Sequence, residues 1–138
     1  MGYLIDSNVL SELRKPKRAE HVASWFRRVP ASDMFTSVLV MAELRRGSQL
    51  LRRRDPASAE RLEVWISDLW RAFEERVLLI TPDIANRWAD LMVPDPIAVI
   101  DGLLAATALV HDLTLVTRNT KDVARTGVKV FDPFSLAT

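Results

Sequence analysis

The sequence contains no cysteine, and this absence excludes two classes of protein. Without thiols the chain can form neither a disulfide framework nor a thiolate metal site. The composition fits a reducing compartment, and the first residues lack the basic flank, apolar segment and cleavage site of a secretory signal. We therefore expect a cytoplasmic protein.

Long apolar runs are also missing. The longest, AVIDGLLAATALV at residues 98–110, is too short to span a bilayer and contains an aspartate. No repeat, low-complexity tract or linker interrupts the chain. Its 138 residues are 49% hydrophobic and 27% charged, which predicts one globular domain over residues 1–138.

The chain has no excess of charge of one sign, since its formal net charge is +1. The charges are nevertheless unevenly distributed. Basic residues cluster in RKPKR (residues 14–18) and RRGSQLLRRR (residues 45–54), and acids gather between Asp55 and Glu75. Such basic clusters either bind phosphate groups or form the solvated faces of helices, and composition alone leaves both interpretations open.

Strand and helix patterns alternate along the chain. Short apolar runs predict strands at residues 3–6, 34–37, 77–80, 114–117 and 129–131. Helical spacing predicts helices at residues 8–14, 19–29, 38–54, 56–76, 82–92 and 96–112. This order favours parallel strands joined by crossover helices, hence an α/β protein with a three-layer α/β/α sandwich and a mainly parallel sheet.

Asp6 ends the first predicted strand, and Ser7 or Asn8 is expected to cap the helix that follows. In parallel sheets, sites usually lie at the carboxyl ends of strands where the chain order reverses. Asp6 lies at such an end, and Thr117 closes another predicted strand. An aspartate at a strand-to-helix turn is also common without any function.

Two further acids are candidates for the same site. Glu43 lies inside a predicted helix beside Leu39 and Val40, although pairing with Arg46 would also explain it. Asp122 follows the fourth predicted strand, in a loop where an aspartate alone means little. The ends of the first and fourth strands are expected to be neighbours, which would bring Asp122 towards Asp6.

Asp101 is the acid that is hardest to explain structurally. With Asp95 as the cap and Pro96 in the first turn, it would fall in the second turn of its helix. Aspartate is a poor interior helix former and is seldom buried without a partner. The adjacent Gly102 also costs helix stability, which indicates close approach by another element.

Several carboxylates gathered in one place require neutralisation. Two unit charges about 4 Å apart repel by about 4 kcal/mol at an effective dielectric constant near 20. Oxygen ligands without cysteine, and with His21 and His111 in separate helices, favour Mg²⁺ or Mn²⁺ over zinc. An ion of this kind activates water and stabilises charge on phosphate, so phosphoryl chemistry is expected.

Four segments in series, LIDSNVLSEL, VLVMAELRRG, IDGLLAATALVHDLTLVTRNTKDV and VFDPF, resemble the PIN domain, specifically the VapC/FitB-type toxins of type II toxin–antitoxin pairs. The resemblance runs from Tyr3 to Phe134. It implies a Mg²⁺-dependent endoribonuclease, with Mn²⁺ as a substitute, that is neutralised by a cognate antitoxin. It further implies a homodimer or a hetero-oligomer with the antitoxin.

The resemblance also implies roles for individual residues. Asp6, Glu43 and Asp101 match the family's acidic, metal-binding positions, with Asp122 as the fourth. The accessory polar positions are Asn8, which would help to orient the acids, together with Thr117 and Asn119. The residues expected to hold RNA phosphates are Arg14, Lys15, Arg45, Arg46 and Arg118.

The chain departs from the family pattern at two positions. Ser7 stands where many members have threonine, and it keeps the hydroxyl group. Asn119 stands where some members carry an acid, so Asp122 would have to supply the fourth carboxylate from a different place.

An antitoxin needs a docking surface, and one helix offers an apolar stripe for it. The stripe consists of Trp65, Leu69, Trp70 and Phe73. These side chains are also the kind that fill a core, and the pattern alone leaves both interpretations open.

Two other functions compete with the nuclease. A signalling receiver also uses a strand-end aspartate, but it needs paired acids on the first strand and a lysine at a late strand end, where this chain has Arg118 and Asn119. The other alternative is a non-catalytic PIN-like binding module, and the presence of all four acids argues against it.

Overall fold

A five-stranded sheet forms the centre of the computed structural model, which describes residues 2–135. The strands are β1 (Gly2–Ile5), β2 (Met34–Ser37), β3 (Val77–Leu78), β4 (Leu113–Val116) and β5 (Val130–Phe131). They lie in the order β3-β2-β1-β4-β5, and all pairings among these strands are parallel. The predicted α/β class and parallel sheet are confirmed, although β3 ends two residues earlier than predicted.

Helices cover both faces of this sheet. They are α1 (Ser7–Arg14), α2 (Glu20–Arg28), α3 (Val38–Arg52), α4 (Pro56–Phe73), α5 (Pro82–Leu91) and α6 (Val99–His111). The chain moves outward from β1 to β3 and then returns to β4. Because parallel crossovers are right-handed, this reversal places α5 and α6 on the face opposite α1 to α4. Within residues 2–135, none of the helices combines the length and apolar character needed to cross a membrane.

The two central strands are buried because both of their faces are covered. Leu4 and Ile5 of β1, with Leu115 and Val116 of β4, lie in the hydrophobic core. Each strand ends on two adjacent buried apolar residues, which is typical of parallel strands between two helical layers. The polar residues directly after these strands are therefore held in place by a rigid support.

The start of α1 differs from the prediction that Ser7 or Asn8 caps it. Asp6 is the capping residue, and its carboxylate accepts a hydrogen bond from the backbone N–H of Ser7. The candidate acid therefore also stabilises the helix, through the hydrogen bond and through its charge at the positive end of the helix dipole.

The start of α6 also differs, and the prediction that Asp95 caps it is wrong. The helix begins at Val99, with Ala98 as the capping residue. Asp101 therefore lies in the first turn and not in the second. A negative charge in the first turn of a helix is favourable. Asp101 therefore destabilises α6 less than its predicted position in the second turn had implied.

The stripe predicted on α4 is divided between core and surface. Phe73 is buried, and Trp65 and Leu69 are half-buried against the core. Trp70 remains 45% exposed and contributes to a groove of about 510 Å³ between α3 and α4.

Gly102 marks a close contact between α5 and α6, as its position beside Asp101 had indicated. A β-carbon at this position would lie 3.1 Å from Cδ1 and 3.2 Å from Nε1 of Trp88. The Nε1 atom of Trp88 is buried without a hydrogen-bond acceptor among residues 2–135. The contact therefore sets the distance between the two helices at the turn that carries Asp101.

This contact predicts different effects for two glycine substitutions in helices. Gly47→Ala on α3 meets no atom within 4 Å, so it should raise the free energy of unfolding by about 0.5–1 kcal/mol through helix propensity. Gly102→Ala should lose that gain or destabilise, because overpacking costs about 1–3 kcal/mol. Urea unfolding of both variants checks this, and an equal gain in both would contradict the close contact.

Candidate functional site

The fold brings the ends of β1 and β4 together at one edge of the sheet. Ile5 pairs with Val116, so Asp6 and Thr117 follow two adjacent strands at the same level. The backbone N–H of Asp6 donates to the carbonyl of Val116 at 2.9 Å, which continues the ladder by one residue. This is the point where the chain order reverses, as the sequence had predicted.

The Asp6 carboxylate is held on both of its oxygens. Only 5% of the residue is exposed. Oδ1 accepts from the backbone N–H of Ser7 at 2.7 Å, and Oδ2 accepts from the Thr117 hydroxyl at 2.7 Å. The Thr117 oxygen itself accepts from the backbone N–H of Asn119 at 3.0 Å, which leaves its single proton for Asp6. The carboxylate therefore has a fixed orientation.

Glu43 reaches the same place from α3. The Ser7 hydroxyl lies 3.2 Å from Oε1 of Glu43 and 3.4 Å from Oδ1 of Asp6, so one proton is shared between two acids. Partial burial, followed by the nearby charges of Asp6 and Asp101, raises the pKa of Glu43. The Ser7 hydrogen bond and Arg46 act in the opposite direction without cancelling the shift.

Asp101 faces the same group of charges from the first turn of α6. Partial burial, then the charge of Asp6 and then that of Asp122, raises the pKa of Asp101. Asp122 lies in the exposed 3-10 segment Thr120–Thr126. The charges of Asp6 and Asp101 thus act on Glu43, and those of Asp6 and Asp122 act on Asp101, although Asp122 is more exposed than Asp6.

The donor set suits a hard divalent cation held largely by water. Among residues 2–135, no three acidic or histidine side chains are arranged to enclose a metal ion. Mg²⁺ does not require such a cage, because it usually keeps several waters and binds one or two carboxylates together with substrate phosphates. Carboxylates that raise one another's pKa values carry unfavourable neighbouring negative charges. A bound cation would compensate these charges.

The accessory residues have defined contacts. The side-chain oxygen of Asn8 accepts from the backbone N–H of Arg118 at 3.4 Å, so it fixes the segment after β4. Asn119 contributes its backbone N–H to Thr117, as described above. Sequence reasoning treated Ser7 as a harmless replacement of threonine that keeps the hydroxyl, and it missed that this group joins Asp6 to Glu43.

The predicted phosphate-binding residues do not all face the acids. Lys15 pairs with the buried Glu12 at 2.9 Å, and Arg45 pairs with Glu63 at 2.5 Å. Arg14 lies exposed at the end of α1. Arg46 lies near Glu43, and Arg118 directly follows Thr117, with its charge acting on Glu12. Arg46 lines, with Glu43, a groove of about 620 Å³ that Leu39, Leu62 and Ile100 also form.

Comparison with known proteins agrees with this geometry. Residues 3–129 match the family model of the PIN domain. The chain belongs to the PIN domain family. The resemblance found in the sequence is therefore confirmed over nearly the whole chain.

Several relatives of this PIN domain have known names or structures. It is 35% identical over 138 residues to Toxin FitB of Neisseria gonorrhoeae, covering 95% of this chain and 97% of that protein. It is 30% identical over 141 residues to VapC ribonuclease Y4jK of Sinorhizobium fredii, covering 97% and 99%. A chain of FitAB bound to an IR36 DNA fragment superposes with a TM-score of 0.89 at 30% identity, covering 99% and 98%.

The Thr117 hydroxyl is expected to be essential for the position of Asp6. Thr117→Val removes the donor to a buried carboxylate oxygen and should lower the free energy of unfolding by about 1–3 kcal/mol. Thr117→Ser keeps the hydroxyl and should retain most of the stability. Urea unfolding in EDTA checks both variants, and equal losses would contradict the role of the hydrogen bond.

Partial burial of Asp101, with repulsion from Asp6 and Asp122, predicts that neutralising this acid stabilises the metal-free protein. The pKa of Asp101 is higher in the folded than in the unfolded chain, so the folded state binds more protons as pH rises from the ordinary aspartate range to the raised value. Stability falls through that window and the penalty persists above it. Asp101→Asn should therefore raise the melting temperature in EDTA at neutral pH.

Asp83 offers a matched control, because it lies in the first turn of α5 and is exposed. Asp83→Asn should slightly lower the melting temperature, since it removes a favourable charge from a helix start. If Asp101→Asn lowered the melting temperature as well, the claim that the charge of Asp101 is unfavourable in the folded protein would be wrong.

Proposed function

We propose that this PIN domain is the toxin of a type II toxin–antitoxin pair and that it cleaves RNA as a Mg²⁺-dependent endoribonuclease, with Mn²⁺ as a substitute ion. The observation that carries the proposal is the convergence of Asp6, Glu43 and Asp101 at the carboxyl edge of the sheet, with raised pKa values for the latter two. The relatives named as a toxin and a ribonuclease support it.

In the proposed reaction the acids have distinct tasks. Asp6 is fixed by Ser7 and Thr117, and together with Asp101 it would bind the ion directly. Glu43 and Asp122 are more exposed and would hold its waters or orient the attacking water. When bound, Mg²⁺ activates water and stabilises the charge that develops on the phosphate. Arg46 and Arg118 would hold the neighbouring phosphates.

A receiver remains the weaker alternative. It would require a second acid beside Asp6 on the first strand and a lysine at the end of a later strand, where this chain has Arg118 and Asn119. A non-catalytic PIN-like module would neither bind Mn²⁺ nor cleave RNA. Titration with Mn²⁺ therefore separates that alternative from the nuclease.

The partners follow from the same relatives. Structures of FitAB and FitAcB from N. gonorrhoeae contain chains similar to this one, and we infer a cognate antitoxin for this chain. A homodimer, or a hetero-oligomer with the antitoxin in the cytoplasm, remains our prediction, and light scattering on the purified chain and complex would measure the assembly. Sequencing the 5′ ends of RNA fragments after expression of the toxin alone would identify the RNA.

The proposed function predicts that two substitutions remove activity without unfolding the protein. Asp6→Asn and Asp101→Asn should reduce Mg²⁺-dependent cleavage of a fluorescent RNA to the level seen in EDTA, because each removes a carboxylate from the ion. Asp83→Asn should cleave at the wild-type rate. Full activity in either site variant, with circular dichroism unchanged, would refute the proposal.

A further inference from the structure

Arg118 and Phe134 form a cation–π pair in the segment that follows β4 and Thr117. The guanidinium carbon of Arg118 lies 3.9 Å from the centroid of the Phe134 ring. Arg118 directly follows Thr117, whose hydroxyl holds Asp6. The pair is thus built onto the residue that orients the buried acid, although nothing in the chemistry of the acids requires an aromatic ring there.

Both members of the pair are held in place by other contacts. The backbone N–H of Arg118 donates to the side chain of Asn8, two residues after Asp6. The backbone N–H of Phe134 donates to Oδ1 of Asp132 at 2.8 Å, and its ring packs against the hydrophobic core. The backbone is therefore anchored at both residues, and the ring beneath the guanidinium group is held against the core.

The charge of Arg118 is not used to close an ion pair within residues 2–135, in contrast to those of Lys15 and Arg45. The residue is exposed, while Phe134 is only partly so. One face of the guanidinium lies on the ring, and the other is available to a planar partner. Bases of single-stranded RNA commonly stack on arginine planes supported in this way.

We propose that the Arg118–Phe134 pair is a stacking platform for a nucleobase next to the cleaved bond of single-stranded RNA. The inference rests on the proposed function for the identity of the ligand. A contact with phosphate alone would need only a positive charge, which lysine supplies equally well. The aromatic support adds a fixed plane, and a fixed plane is useful for recognising a base.

The substitution Arg118→Lys separates these two uses, because it keeps the charge and removes the plane. Binding is measured by fluorescence anisotropy in EDTA, with a mixed-sequence single-stranded RNA of about 12 nucleotides and an abasic RNA of the same length. Loss of stacking should weaken binding to the RNA about tenfold. Binding to the abasic RNA and the slope of affinity against salt should stay unchanged, since the phosphate contacts remain.

Arg87→Lys is the matched control, since Arg87 is exposed on α5 and has no aromatic ring beneath it among residues 2–135. It should leave both affinities unchanged. Phe134→Leu should weaken binding to the RNA but not to the abasic RNA, and Arg118→Lys keeps the test valid if Phe134→Leu fails to fold. Wild-type affinity for RNA in Arg118→Lys, or equal losses on both probes, would overturn the platform.

Binding in EDTA does not depend on catalysis, so the two proposals fail separately. If wild-type protein binds the RNA through Arg118 but does not cleave it with Mg²⁺, the nuclease is wrong and the platform stands. If the protein cleaves RNA and Arg118→Lys binds it like the wild type, the platform is wrong and the nuclease stands.

Discussion

Burial of the Asp6 carboxylate at the end of the central strand is the constraint on which the site depends. A buried charge must be compensated, and here the Ser7 N–H and the Thr117 hydroxyl provide the compensation. Those two hydrogen bonds connect the first and fourth strands and start α1. Partial burial, together with the same charge, raises the pKa of Glu43 and of Asp101, so the fold stabilises one acid and leaves its neighbours in an unfavourable environment. Binding sites commonly retain residues that destabilise the ligand-free protein, because a bound ligand can remove the unfavourable interaction.

The basic residues show a comparable division between structure and function. Arg52 pairs with Glu60 and Glu63, and Arg45 also pairs with Glu63, so part of the second basic cluster joins α3 to α4. The cluster as a whole is therefore not a continuous surface for phosphates. The charge of Arg46, on α3, acts on Glu43, and that of Arg118, after β4, acts on Glu12. The cations that act on the four acids are therefore fewer than composition suggested.

Much of the fold could be predicted because local pattern and tertiary structure agree. The runs of β1 and β4 are short, mostly apolar and followed by polar residues, which places Asp6 and Thr117 at strand ends from sequence alone. The start of α6 could not be predicted, since Asp95 followed by Pro96 satisfies every local rule for a helix start. The packing of Trp88 on Gly102 involves another helix and does not appear in the local pattern. The Ser7 link between Asp6 and Glu43 joins residues 36 positions apart and likewise requires the structure.

The central claim is that these acids share one divalent ion. Anomalous diffraction from a crystal soaked in Mn²⁺ measures this most directly. We predict a peak within coordination distance of Asp6 and Asp101, with Glu43 and Asp122 around it. Density for Mn²⁺ elsewhere on the chain, with none beside Asp6 at saturating concentration, would contradict the account.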